Sequence, residues 1–185
     1  MLKFEKFIPA SALELGALFE KRNFQISLVG GSVRDIFLQK KSSDYDFTTS
    51  ANPDEIIDVV ENWADSIWTI GKKYGTIGIV KGDKKYEITT FRADNYDEDS
   101  RKPEVAFGDN LEDDLKRRDF TVNALALRLP SLELVDPYHG LDDLLAKTLR
   151  TPTAPEVSFS DDPLRIMRLF RFMAQLGFMP EASTA

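Results

Sequence analysis

Helix-like and strand-like segments alternate along this 185-residue chain, predicting an α/β fold: a mixed β-sheet flanked by helices, then the first helix of a separate helical unit. Two observations carry that expectation. Short runs with a two-residue period alternate with runs of helical period as far as about Phe91, and two of the strand-like runs are joined by Gly82-Asp83, a hairpin signal. Beyond the prolines Pro152 and Pro155 lies one long helical pattern, the clearest in the chain.

Pro9 to Arg22 reads as an amphipathic helix with Leu13, Leu15, Leu18 and Phe19 apolar. Phe24 to Val29 alternates as a strand does, and Gly30-Gly31 leads at once into a short helix over Ser32–Leu38. Tyr45 to Thr48 is strand-like. Asn52 suits an N-cap and Pro53 a first helical position, for a helix running to about Ala64. Three strands are expected over Ser66–Ile70, Thr76–Val80 and Lys84–Phe91. The polar stretch Arg92–Asn110 reads as a mobile loop, and Leu111–Leu125 as a helix. Strands over Leu127–Leu129 and Leu132–Val135 flank a Pro130-Ser131 turn. A short helix follows over Leu141–Ala146, then a proline linker, then a helix from Asp161 to Leu176.

Hydrophobic residues make up 42% of the chain, enough for a substantial core, and charged residues 30%. The net charge of −7 opposes a stand-alone nucleic-acid binder, which shows a basic face. The absence of cysteine excludes disulfides, thiolate metal sites and a cysteine nucleophile, and the single histidine, His139, excludes a histidine-rich metal site. No run of 18 apolar residues and no signal-like start are present, so no membrane partner is expected and a cytoplasmic location is.

Two constellations carry chemistry. Asp44 and Asp46 lie two apart on a strand and so share one face. Such a pair is either a solvated loop feature or a site for a hard divalent cation, Mg²⁺ being held by one or two carboxylates plus substrate phosphates. Gly30-Gly31, between strand and helix, is either a plain turn or a place where the backbone meets a phosphate, with Arg34 one turn on to reach the same anion. Only a short helix separates the two constellations, and the combination is more specific than either part.

That combination resembles the nucleotidyltransferase superfamily that includes DNA polymerase β, with its glycine turn, spacer and Asp-x-Asp. Glu87, on a neighbouring strand, is either a third acid for a two-ion site or an outward-facing strand residue. Arg117-Arg118-Asp119-Phe120-Thr121-Val122-Asn123-Ala124 resembles a motif of class II CCA-adding tRNA nucleotidyltransferases and bacterial poly(A) polymerases. There the second arginine, here Arg118, contacts the nucleotide, and Asp119 lies near the ribose. Asp136-Pro137-Tyr138-His139-Gly140 is similar to the family's hinge between head and neck, which makes His139 a hinge residue.

In the last helix Arg165, Arg168 and Arg171 are spaced three apart along one face, opposite most of the apolar residues. Asp161-Asp162-Pro163-Leu164-Arg165 resembles the family's nucleotide-selecting motif, with Asp161 in place of the usual glutamate. The resemblance implies that Asp162 accepts from, and Arg165 donates to, the edge that cytosine and adenine have in common, so that uracil and guanine are rejected. Asp162 before Pro163 also has the form of a helix cap, and both roles stay open.

The resemblance implies a catalytic nucleotidyltransferase head over residues 1–136 and the start of an all-α neck over 137–185, the remaining helices lying beyond this chain. It further implies transfer of CMP and AMP from CTP and ATP to the 3′ end of tRNA with two Mg²⁺ ions and release of pyrophosphate. Asp44 and Asp46 would bind metal, with Glu87 as a third acid. Gly30, Gly31, Arg34, Arg118, Asp119, Asp162, Arg165, Arg168 and Arg171 would bind the nucleotide. Poly(A)-adding, A-adding and CC-adding relatives share these motifs. Two other readings are a nucleotide-binding fragment without turnover and an enzyme acting on a small molecule.

Overall fold

The computed structural model describes residues 4–40, 44–93, 106–108 and 110–184. A 3-10 turn at Phe4–Lys6 precedes α1 (Ala10–Lys21), which buries Leu15 and Phe19. Then come β1 (Ile26–Val29), α2 (Gly31–Phe37), β2 (Asp44–Thr49) and α3 (Pro53–Val60). The expected cap of α3 is present as a full capping box. Asn52 accepts from the backbone of Asp54 and Glu55, Glu55 reaches back to the Asn52 N–H at 2.7 Å, and Pro53 sits at the first position.

Next are β3 (Ser66–Trp68), a 3-10 turn at Lys72–Tyr74, β4 (Thr76–Lys81) and β5 (Lys84–Thr90), with Gly82 in the left-handed region between the last two. β3 stops short of the expected Ile70, which is 88% exposed on the way into the turn. The loop expected over Arg92–Asn110 lies mostly outside the described residues. Its two ends pair as β6 (Arg92–Ala93) and β7 (Ala106–Phe107).

The helix expected over Leu111–Leu125 is instead a short α4 (Leu111–Lys116) and a 3-10 turn at Thr121–Asn123. The reason lies in packing. Phe120 and Val122 both enter one hydrophobic cluster and are fully buried. In a helix, residues two apart point in nearly opposite directions, so Phe120 adopts an extended backbone instead.

β8 (Ala126–Arg128), β9 (Leu134–Val135), α5 (Gly140–Ala146) and β10 (Thr148–Leu149) follow. Pro155, expected in a linker, is the first residue of α6 (Pro155–Asp161). The last long helix therefore begins later than expected, as α7 (Leu164–Leu176), and β11 (Met179–Pro180) follows it. Pro163 restricts the residue before it to extended backbone, and Asp162 has φ −143° and ψ 94°. Asp162 thus lies in a break between two helices.

Seven strands form one mixed sheet in the order β3-β4-β5-β2-β1-β8-β9. β2 and β5 are parallel and the other neighbours antiparallel. One face carries Phe47, Ile77, Ile79, Tyr86 and Ile88, buried with residues of α1 and α3 in the main core. A second cluster ties Phe120 and Val122 to Leu144, Leu149, Leu169, Phe172 and Phe178, and so fixes α5 and α7 to the sheet domain. α7 packs through Leu169 and Phe172, while Met167 and Phe170, on its broad apolar stripe, and Leu164, outside it, are exposed. No helix among the described residues is long and apolar enough to cross a membrane.

Candidate active site

The acids lie on the sheet face turned away from the main core. Parallel pairing sets Asp44 beside Lys85 and Asp46 beside Glu87, so all three carboxylates point to that face, while Tyr45 and Tyr86 point into the core. Ser32 donates from its hydroxyl to the Asp44 carbonyl at 2.9 Å, tying the start of β2 to α2. The Asp46 carboxyl touches solvent but is crowded by protein. Its pKa is pushed up by desolvation first and by the nearby charges of Glu87 and then Asp44, against the opposing pull of Arg118. Among the described residues, no three acids close together as a ready-made metal cage.

A cleft of about 670 Å³ opens beside Asp46. Gly30 and Gly31 form part of its wall. Gly30 has φ 71° and ψ −137°, a conformation open to glycine and strained for other residues, and a Cβ there would stand 3.1 Å from Nη1 of Arg118. Of the twelve residues singled out from sequence, Gly30, Gly31, Arg34, Asp46, Arg118, Asp119, Asp162, Arg165, Arg168 and Arg171 all line this cleft. Asp44 does not, and Glu87 lines a neighbouring depression of about 510 Å³. Arg92, Arg117 and Asn123 also line the cleft and were not singled out.

The cleft brings seven arginines against three aspartates, and each arginine is held in its own way. Arg34 donates from Nε and Nη2 to Asp35 Oδ1 at 2.9 and 2.8 Å, and from Nη1 to Asn123 Oδ1 at 2.8 Å. Asn123 in turn donates to Asp119 Oδ1 at 3.0 Å. Asp119 is buried and also accepts from the Phe120 N–H. Its Oδ2 lies 2.7 Å from Nη2 of Arg168, an ion contact outside hydrogen-bond geometry.

Sequence reasoning missed Asp114, the anchor of the floor. Its side chain is fully buried, and it accepts from Arg117 at 2.8 Å, from Arg118 at 2.9 Å and from the Arg92 N–H at 3.2 Å. Burial pushes its carboxyl up, but the charges and hydrogen bonds of Arg118 and Arg117 outweigh this and hold it below the usual aspartate value. Asp114 stands three and four residues before the two arginines, but Asp113 also stands four before Arg117, so spacing alone did not single out the buried acid. The Nε atoms of Arg92, Arg117 and Arg118 are buried without a hydrogen-bond partner among the described residues. The three residues all line the cleft, and their guanidinium charges suit a polyanion.

On the opposite wall, Asp162 Oδ1 accepts from the Leu164 N–H at 3.0 Å, so this oxygen caps the start of α7. Arg165 braces three segments: Nη1 donates to the Ser158 carbonyl and hydroxyl, and Nη2 to the Arg117 carbonyl at 2.6 Å. Arg34 and Arg171 both lie over the Phe172 ring, at 5.5 and 4.9 Å from its centroid.

A mixed sheet with a carboxylate face beside a glycine turn and an arginine-lined cleft defines the class: an α/β domain whose cleft suits a polyanionic ligand. Comparison with known proteins narrows this. The family described as poly A polymerase head domain matches residues 26–150, and the chain belongs to that family. It is 43% identical to a CCA-adding enzyme of Lactobacillus helveticus, over 100% of this chain and 46% of that protein. It is 44% identical to a CCA-adding enzyme of Streptococcus pneumoniae, over 98% of this chain and 43% of that one. The structure superposes on the Bacillus stearothermophilus CCA-adding enzyme in complex with CTP with a TM-score of 0.83 and 35% identity, covering 94% of this chain and 40% of the other. A tRNA nucleotidyltransferase complexed with a primer tRNA and an incoming ATP analog gives 0.76 and 34%, covering 92% and 47%. The chain thus spans less than half the length of these relatives.

Proposed function

We propose that this chain carries the catalytic centre of a template-independent tRNA nucleotidyltransferase, which adds CMP and AMP from CTP and ATP to the tRNA 3′ end. The observation that carries this is the position of Asp46, on an acid-bearing sheet face and also in the wall of the arginine cleft. The relatives named as CCA-adding enzymes support the same reading. Poly(A)-adding, A-adding and CC-adding relatives remain the alternatives within it. The proposal also takes residues 1–136 as the head and 137–185 as the start of the neck, in a cytoplasmic protein.

In the reaction, the RNA 3′-oxygen bonds to the α-phosphorus as the bond to pyrophosphate breaks, and the hydroxyl proton is lost. Residues Arg92, Arg117 and Arg118 would hold the triphosphate with their guanidinium charges, beside the open backbone of Gly30 and Gly31. Arg34, Arg168 and Arg171 add positive charge, and Asp119 fixes Arg168 while facing the sugar. Asp162 and Arg165 read the base. Asp162 would do so with the oxygen that does not cap α7, and Arg165 from a guanidinium already held in place by Ser158 and Arg117.

Mg²⁺ fits this residue set. Burial first, and then the charges of Glu87 and Asp44, push the Asp46 carboxyl up, and a cation between Asp44 and Asp46 would relieve the like-charge part, with Glu87 as a third acid. A two-ion site supplies activation of the attacking hydroxyl and neutralisation of the leaving phosphates. The test is incorporation of labelled CTP and ATP, separately and together, into tRNA lacking its 3′ CCA, with Mg²⁺ and then with EDTA. Addition of both nucleotides, stopping after CCA and lost in EDTA, is expected. Selective binding of CTP and ATP without addition would restrict this chain to nucleotide recognition, and neither addition nor binding would refute the reading.

A further inference from the structure

α6 buries a single side chain, and it is a serine. Ser158 is fully buried, while Val157 beside it is 51% exposed. A helix that buries only one residue ordinarily buries an apolar one, because a polar group taken out of water needs a partner. The partner here is a guanidinium. Arg165 donates from Nη1 to the Ser158 hydroxyl at 2.7 Å and to the Ser158 carbonyl at 3.2 Å.

The same carbonyl accepts from the Asp162 N–H at 3.3 Å, the bond that closes the last turn of α6. Ser158 therefore touches both members of the pair assigned to the base edge. That pair straddles the break before Pro163, so no continuous helix sets the spacing of its side chains. The main chain is tied across the break, since the Arg165 N–H donates to the Asp162 carbonyl at 3.0 Å. This fixes where the arginine begins but not where its guanidinium ends, at the tip of a long stem with many rotamers. Ser158 holds that tip from α6, and the Arg117 carbonyl holds it from the sheet domain at 2.6 Å. These contacts engage at most three of the five N–H groups of the guanidinium and leave at least two for a ligand.

Rigidity matters more for rejection than for attraction. A cytosine edge offers N3 as an acceptor and draws a nearby donor in. Uracil offers N3–H, and an arginine free to swing can retreat from it. A donor that cannot retreat leaves two donors facing each other without acceptors, which is what penalises the wrong base. The structure assigns this task to Ser158: it is a positioning residue that clamps Arg165 and so sets how strongly UTP and GTP are refused. The assignment rests on the nucleotidyltransferase reading with Arg165 as its base reader, and adds a residue that lies outside the Asp161–Arg165 motif.

The test is equilibrium binding of CTP, UTP, ATP and GTP, each with Mg²⁺, to this chain and its variants. The wild type is expected to prefer CTP to UTP and ATP to GTP. Ser158→Ala removes the hydroxyl and should narrow the preference for CTP over UTP about tenfold, the low end for one lost hydrogen bond to a charged group. Ser158→Cys keeps the size with a poor acceptor and should narrow it as much, which separates the hydrogen bond from the cavity that alanine leaves. Added to Arg165→Ala, Ser158→Ala should narrow the preference no further, because it acts through that arginine. An unchanged preference in both Ser158 variants, with or without an equal loss of affinity for all four nucleotides, would overturn the assignment. So would a further narrowing on top of Arg165→Ala. A wild type that binds all four alike would instead remove Arg165 as the base reader, and one that binds none would refute the nucleotidyltransferase reading itself.

Discussion

Replacing Asp114 with asparagine removes one charge at almost constant volume, so no cavity term complicates the outcome. The wild-type carboxylate is fully buried and accepts two charge-assisted hydrogen bonds and one backbone N–H. Breaking a buried pair by removing one partner costs about 3–5 kcal/mol. The side chains of Arg117 and Arg118 keep 22% and 21% of their exposure, so water can reach them and the loss falls at the low end, about 3 kcal/mol. A domain with a stability of about 5–15 kcal/mol survives this, and urea unfolding should show a midpoint about 1.5 M lower, for a slope of about 2 kcal/mol per M. The pH dependence has a definite sign. The native Asp114 pKa is depressed, so its contribution is present above the ordinary aspartate value of about 3.9 and is lost as pH falls below it towards the native value. The gap between wild type and Asp114→Asn should therefore narrow from about pH 6 to about pH 3. A midpoint shift under about 0.5 M, or a gap of constant width over that range, would refute the anchoring role.

Asp46 has the opposite sign. Its native pKa is raised, so its ionisation opposes folding as pH rises from the ordinary value through the native one. Asp46→Asn should match or exceed the wild type in thermal stability near pH 7, lose that advantage near pH 4, and abolish nucleotide addition; a clear drop in melting temperature at neutral pH would contradict this. Arg165→Ala should lose about 2 kcal/mol with its bracing hydrogen bonds, measured in urea, and should relax base choice; retained discrimination against UTP and GTP would leave it a purely structural role. Gly30→Ala should cost about 1–3 kcal/mol for its left-handed backbone and weaken CTP binding by displacing Arg118, and a neutral result in both assays would show that the turn can relax.

Features set by short-range rules were legible in the sequence. The two-residue period of a strand put Asp44 and Asp46 on one face, and parallel pairing with β5 then brought Glu87 alongside. Asn52-Pro53 announced its helix because capping is local. What was illegible depended on partners distant in sequence. The helix expected through Leu125 ends early because Phe120 and Val122 must enter the same cluster as Leu169 and Phe172. The angular pattern of α7 separated arginines from apolar residues, yet the buried contact is made by Leu169 and Phe172, beside the arginines. Asp114 sat in plain view after two other acids, Glu112 and Asp113. Nothing local distinguishes it from exposed Asp113; its burial comes from α4 packing against the strands.

The same contrast settles how an acidic chain can hold an anion. A net charge of −7 is a sum over the whole molecule, and at physiological ionic strength charges beyond about 8 Å are largely screened. Within the cleft the balance is reversed, with seven arginines to three aspartates. Unaided, these arginines would repel one another and swing apart. Asp35 holds Arg34, Asp114 holds both Arg117 and Arg118, Asp119 holds Arg168, and the Arg117 and Ser158 carbonyls hold Arg165. Each partner engages only part of a guanidinium fork. The aspartates thus lower the cleft's charge while fixing its geometry. For a ligand whose phosphates must be held in line with an attacking hydroxyl, fixed donors are worth more than additional loose charge.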